Sequence, residues 1–347
     1  MNIFSMIYIV VIAFGIISKV SRQGRKYFCI SSGIVYFLLA ALRSSQVGGD
    51  SFNYRYMFET LAGKNMGMAW GYSEKDPVFY ALLSVLGRVT DNYTVLFAIV
   101  AAFFGIAVWY YIYRYSDDPV LSVIVLLAFN LYQFSLTGMR QTIAMSFIVF
   151  AMIAINEEKK LLPYILIIIS GLFHSSALVC LVIPILRHFP IKVNKIRSAT
   201  IPLAFCFLFR ENIAQLLVGF ISERGYGVSI SQSGYIMMLV IFVIYIMAAV
   251  FVKEYADFNE NYHIQYWIAI GAVFFETLVT AQNIFFRIAF YFLLVFITLV
   301  PNVACRARND ATRRILTVGL YVVFSIQYLF YTVGSCYILP YTTFWQI

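Results

Sequence analysis

At 347 residues, 62% hydrophobic and 12% charged, with a mean hydropathy of +0.83, this chain lacks the composition of a water-soluble domain. Its formal net charge of +9 lies in short connectors between apolar runs, not along one helical face. That pattern argues against nucleic acid as a partner and fits the positive-inside bias of a membrane protein.

The first apolar run, 3–17, has no basic segment before it and one after it, so it reads as a retained first helix rather than a cleaved signal. Runs of about crossing length recur at about twelve places, near 2–18, 27–42, 92–113, 119–135, 137–155, 161–173, 175–189, 198–210, 234–252, 262–281, 284–304 and 315–333. Without barrel alternation they must be helices, because hydrocarbon offers the backbone no other partners. The expected fold is an all-α polytopic integral membrane protein, with a single transmembrane domain over 1–347. Placing both termini outside puts sixteen of the 25 lysines and arginines in inner connectors and nine outside; the reverse topology exposes the three most basic connectors to the outer side.

Two outer segments exceed a turn. In 43–91, the apolar stretch 77–89 is too short to span and reads as an interfacial or re-entrant helix with Pro77 in its first turn. The other, 211–234, joins the apolar stretch 213–221 to ERGYGVSISQSG. Outer loops of this length commonly carry function or cover a site.

Nucleotide chemistry is excluded by the absence of a Walker A sequence, of GxGxxG after a strand, and of a long cytoplasmic loop. Metal chemistry is not supported: His174, His188 and His263 are far apart with no HExxH, and Cys29, Cys180, Cys206, Cys305 and Cys336 show no ligand or disulfide spacing. No cofactor is expected.

What remains is a polar set on the outer face. Arg140 and Gln141 open the helix that begins in LTGMRQTIA; His174, Ser175 and Ser176 sit at the hairpin GLFHSSA; Arg287 lies a turn into QNIFFRIAFYF after Asn283. Guanidinium suits a diphosphate, because its planar fork makes bidentate charge-assisted hydrogen bonds without a metal. The outer loop adds Gly48, Gly49, Asp50, Tyr54 and Arg55 in GGDSFNYRYMF, a carboxylate beside aromatic faces of the kind a sugar site uses. Each has a plainer reading: snorkelling anchors for the arginines, a backbone-bonded histidine, a helix-capping Asp50. Their convergence on one face carries the functional reading.

These motifs, with KDPVFYALL and the closing ILPYTTF that contains Tyr341, occur in an order that resembles the EpsG family of bacterial membrane proteins, related to the Wzy polymerases of O-antigen and capsule synthesis. The resemblance implies a metal-independent glycosyltransferase of GT-C-like fold in the bacterial cytoplasmic membrane. It would join undecaprenyl-diphosphate-linked oligosaccharide units on the outer face, with a flippase and a chain-length regulator as partners. It places Asp50, Arg140, His174 and Arg287 on family motifs. The expected chemistry has Arg140 and Arg287 binding the donor diphosphate and Asp50 or His174 accepting the acceptor's proton; Glu59, Glu74, Asp76 and Glu276 are further acids within reach of that role. A non-enzymatic transporter or flippase of a lipid-linked or anionic solute, and an O-antigen-type ligase, are the alternatives.

Overall fold

The computed structural model describes residues 2–73, 76–222 and 234–346. Among them the chain is helical, apart from turns and one isolated antiparallel bridge between Arg43 and Thr343. It is an integral membrane helical protein. Packing divides it into two compact units, 1–178 with 318–347 and 179–317.

The first unit holds α1 (Ile3–Ser18), α2 (Gly24–Ala41), α3 (Ser51–Leu61), α4 (Met66–Trp70), α5 (Pro77–Leu86), α6 (Tyr93–Tyr115), α7 (Pro119–Ala128), α8 (Leu131–Ser135), α9 (Met139–Asn156) and α10 (Leu162–Phe173). The second holds α11 (Val182–Leu186), α12 (Val193–Ser198), α13 (Thr200–Leu208), α14 (Arg210–Ser222), α15 (Tyr235–Val250), α16 (Val252–Ala256), α17 (Tyr262–Val279), α18 (Phe286–Leu293) and α19 (Phe296–Cys305). A last helix, α20 (Asp310–Ile326), starts in the second unit, joins the first from Val318 and continues as a π-helical segment (Gln327–Thr332).

Each expected apolar run is met by helix, most within a few residues, but three run through breaks. The 119–135 run splits at Phe129 and Asn130, where Asn130 adopts φ 62°. The 284–304 run bends by 51° between Leu293 and Phe296, and 193–208 meets the helix beginning at Arg210 at 77°. By length and composition, three of the described helices can cross a bilayer, Tyr93–Tyr115, Met139–Asn156 and Asp310–Thr332, or five if each bent pair is one span; six apolar helices of 10 to 17 residues accompany them. The 175–189 run begins as a 3-10 turn (Ser175–Leu181) rather than as an α-helix.

The segment 43–91 holds three short helices, α3, α4 and α5, where the sequence suggested one. In the second loop, 211–222 continues α14, and the rest of ERGYGVSISQSG falls almost wholly outside the described residues, as do Glu74 and Arg224.

In the first unit, α3 and α5 lie on α6 and α9 through a core of Tyr54, Phe58, Phe79, Tyr80, Leu83, Phe97, Met139 and Ile143. Burying a side chain of this size contributes roughly 1.5–3 kcal/mol. These aromatics therefore hold α3 and α5 on α6 and α9.

Candidate active site

The site begins with how the loops lock together. Gly48 has φ +98°, and a Cβ there would meet the Leu136 carbonyl oxygen at 2.5 Å, so only glycine fits. That close approach lets the Leu136 carbonyl accept hydrogen bonds from Ser51 Oγ and Arg43 Nη2, both at 2.9 Å, while the Asp50 N–H donates to Thr137 Oγ1 at 2.9 Å. From the other side, the N–H groups of Gly48 and Gly49 donate to the Tyr337 and Cys336 carbonyls, both at 3.0 Å, and Ser44 N–H donates to the Thr342 carbonyl at 2.9 Å. Three sequence motifs, GGDS, LTGMR and ILPYTTF, thus form one interlocked support in which α9 starts at Met139.

Arg140, in the first turn of α9, reaches α5. Its Nη1 donates to Asp76 Oδ2 at 3.2 Å and to the Tyr80 hydroxyl at 3.1 Å, and the guanidinium is also hydrogen-bonded to the Tyr54 hydroxyl. His174, the C-cap of α10, places Nδ1 3.1 Å from the same Asp76 Oδ2, and the Ser175 N–H donates to Asp76 Oδ1 at 3.1 Å. Helix α10 is itself fixed to α9 by Ser170 Oγ donating to the Ala144 carbonyl at 2.8 Å and by the stacked rings of Phe147 and Phe173. One carboxylate therefore joins segments 64 and 98 residues away in the chain.

Asp76 is buried, at 6% exposure, and precedes Pro77, so it occupies the N-cap position of α5. Its backbone is left-handed, with φ 59°, and its side chain makes no capping bond to its own helix. A non-glycine residue in that region costs about 1–3 kcal/mol, which the partners across the site must offset. Burial alone would raise this carboxyl's pKa; the hydrogen bond with His174 and, in acid where the imidazole is protonated, its charge, then the Arg140 charge and the Ser175 N–H, outweigh it and hold Asp76 below the usual carboxylate range. It is an anion in this site.

An ionised carboxylate beside Nδ1 requires the proton of neutral His174 on that nitrogen, which leaves the Nε2 lone pair free. His174 Nε2 and Arg140 Nε are buried polar atoms with no hydrogen-bond partner among the described residues. A buried unpaired nitrogen costs about 1–3 kcal/mol, so both atoms are open to a hydrogen bond with a water or a ligand. The arrangement can hold an imidazole in one tautomer with an empty acceptor, next to a partly exposed guanidinium.

The other expected residues fall as follows. Asp50 is exposed and stands one turn before Tyr54, at the N-cap of α3, without a side-chain capping bond. Tyr54 belongs to the cluster. Arg55 pairs with Glu59 at 2.7 Å and lies over the Tyr93 ring, and Gln141 is buried in α9. Tyr341 donates its hydroxyl to the Leu39 carbonyl at 3.0 Å, a tie that holds the C-terminal segment. Arg287 and Asn283 lie in the second unit: Arg287, in the first turn of α18, is half-buried beside the Phe286 ring, and Asn283 opens a short 3-10 turn. Glu276 is buried in α17. Among the described residues no group of three or more His, Cys, Asp and Glu side chains could hold a metal.

The sequence offers Asp76 only as one acid among several and carries no signal for Tyr80. The Asp-Pro pair looks like an ordinary helix start, and only the αL backbone turns its carboxylate away from the helix.

A family model matches residues 26–343, nearly the whole chain, and its description is the EpsG family. The chain belongs to the EpsG family. Membership supports, in general terms, a membrane protein of polysaccharide biosynthesis with a polymerase role. No curated protein matches the chain, and no solved structure does. Within this EpsG-family chain, the KDPVFY, GMRQT and FHSS motifs meet at Asp76.

Proposed function

We propose that this protein polymerises undecaprenyl-diphosphate-linked oligosaccharide units on the outer face of the bacterial cytoplasmic membrane, as a metal-independent glycosyltransferase of twelve spans and GT-C-like fold. His174 is the general base. Its Nε2 accepts the proton of the acceptor hydroxyl as that oxygen attacks the anomeric carbon of the donor sugar; the carbon–oxygen bond to the diphosphate breaks, and the diphosphate leaves with the electron pair. Asp76 holds the imidazole in the required tautomer and stabilises the imidazolium that forms. Arg140 anchors Asp76 and offers its remaining donors to the diphosphate. Tyr54 and Tyr80 fix the guanidinium.

The observation that carries this reading is the Asp76 carboxylate accepting from His174 Nδ1 at 3.1 Å while His174 Nε2 stays buried without a partner. It favours His174 over Asp50 as the base, since the Asp50 side chain is exposed and makes no capping bond. Arg140 carries less free charge than the sequence suggested, because Asp76 already neutralises part of it.

The test is the reaction of purified protein with a synthetic undecaprenyl-diphosphate oligosaccharide without divalent metal. A ladder of products spaced by one repeat unit is expected. A substrate that is translocated in vesicles but never lengthened would replace the polymerase with a carrier.

A further inference from the structure

Helices α2 and α6 run antiparallel and leave a groove of about 510 Å³ in the first unit, lined by Lys26, Cys29, Ile30, Gly33, Ile34 and Phe37 on one side and by Ala102, Gly105, Ile106, Trp109, Tyr110 and Tyr113 on the other. Two glycines open it. A Cβ at Gly105 would meet no atom within 4 Å, and one at Gly33 would press on the Trp109 ring at 3.1 Å. Trp109 is fixed as a wall, because its indole N–H donates to Ser32 Oγ at 2.9 Å.

The groove has one polar end. Lys26 is exposed there, on the lysine- and arginine-rich side of the protein, and no described residue pairs with it. Its neighbour Arg25 is engaged, donating from Nε to the Tyr113 carbonyl at 2.9 Å. None of the lining residues is acidic. From Lys26 to Phe37 the groove extends about 16 Å along α2, close to half of the ~30 Å hydrocarbon thickness. An unpaired cation over an apolar channel one leaflet deep has the form of an anionic phospholipid, headgroup at Lys26 and an acyl chain between the helices.

We propose that this groove binds an anionic phospholipid of the leaflet facing the basic connectors. The site lies toward the C-terminal end of α6, whereas the Asp76 cluster sits at the N-terminal end of that helix, and it is independent of the polymerase reading. Its role is to hold α2 against α6 and fix the depth of the bundle.

The full chain, with Trp70→Phe, Trp267→Phe and Trp345→Phe leaving Trp109 as the fluorophore, is reconstituted in phosphatidylcholine vesicles that contain acyl-brominated phosphatidylglycerol or acyl-brominated phosphatidylcholine at equal mole fraction. Brominated phosphatidylglycerol should quench Trp109 with an apparent affinity about fivefold higher, as expected for one lysine at an anionic headgroup. Lys26→Gln should abolish that preference, and Gly105→Leu, which fills open space in a helix, should reduce quenching by both lipids. Equal quenching by the two lipids in the otherwise wild-type chain would overturn the proposal, as would unchanged quenching in Gly105→Leu. Relief of phosphatidylglycerol quenching by trace undecaprenyl phosphate would assign the groove to the prenyl carrier and overturn it too.

Discussion

Two helices of the first unit start with the same dipeptide, and their aspartates have opposite fates. Asp118, before Pro119, is extended (φ −132°) and caps its own helix: its Oδ1 accepts from the Val120 and Leu121 N–H groups, while Lys19 at 2.5 Å and the Tyr321 hydroxyl at 3.0 Å complete the carboxylate. Asp76, before Pro77, is left-handed (φ 59°), ignores its own helix and reaches Arg140, His174 and Ser175. The first cluster closes on itself. The second keeps a buried imidazole nitrogen without a partner. An Asp-Pro pair that satisfies its own helix ties the bundle together; one held off its helix is available to chemistry, at a cost in backbone strain.

The comparison can be broken most forcefully at His174. His174→Gln should lower the rate of chain extension by about 10²–10⁴-fold, the usual worth of a general base, while insertion into the membrane is unchanged. Product ladders from purified protein check both the rate and the length distribution. Asp76→Asn should come next, with a loss of about 10²-fold or more, because an amide no longer dictates the imidazole tautomer. Asp118→Ala should leave the rate within a factor of about two and instead reduce stability by about 0.5–2 kcal/mol through the lost cap. If both aspartates affected rate equally, the contrast between them would be lost.

Acid should sharpen the same contrast. Because the Asp76 pKa is depressed in the folded protein, its ionic partners stabilise the fold fully above the ordinary carboxylate value of about 3.9, and that contribution disappears as pH falls through the lower folded value. The difference in thermal midpoint between the wild-type chain and Asp76→Asn should close as pH falls below about 4. Within the Asp76 cluster the smallest effect is expected at Tyr80→Phe. It removes one hydrogen bond from the charged Arg140 guanidinium, worth about 1.5–3 kcal/mol, and because Asp76 still holds that group the rate should change by no more than about tenfold.

Much of this was legible in the sequence because hydrocarbon imposes long apolar runs, and runs such as 137–155 and 92–113 reappear as α9 and α6. The breaks were not legible. Asn130 turns left-handed between α7 and α8 inside an apolar context that gives no composition signal, and the 51° bend lies at Leu294 and Val295 while Pro301 sits within α19. At the site, Arg140, His174, Tyr54 and Ser175 stood out as polar groups at outer helix ends. Asp76 did not, since dipeptide chemistry is identical in both Asp-Pro pairs and only contacts 64 and 98 residues away distinguish them. The Tyr341 hydroxyl donates to the Leu39 carbonyl, one of the last carbonyls of α2, which has no partner further along its own helix, and no motif spacing announces that tie.

The most direct test of the His174 and Asp76 pairing is a double-mutant cycle on single-turnover glycosyl transfer with purified protein, comparing wild type, His174→Gln, Asp76→Asn and the double variant. If Asp76 acts through the imidazole, the double variant should be no slower than His174→Gln alone, with substrate binding retained in all four. Additive losses, or a His174→Gln protein that extends chains at the wild-type rate, would contradict the assignment.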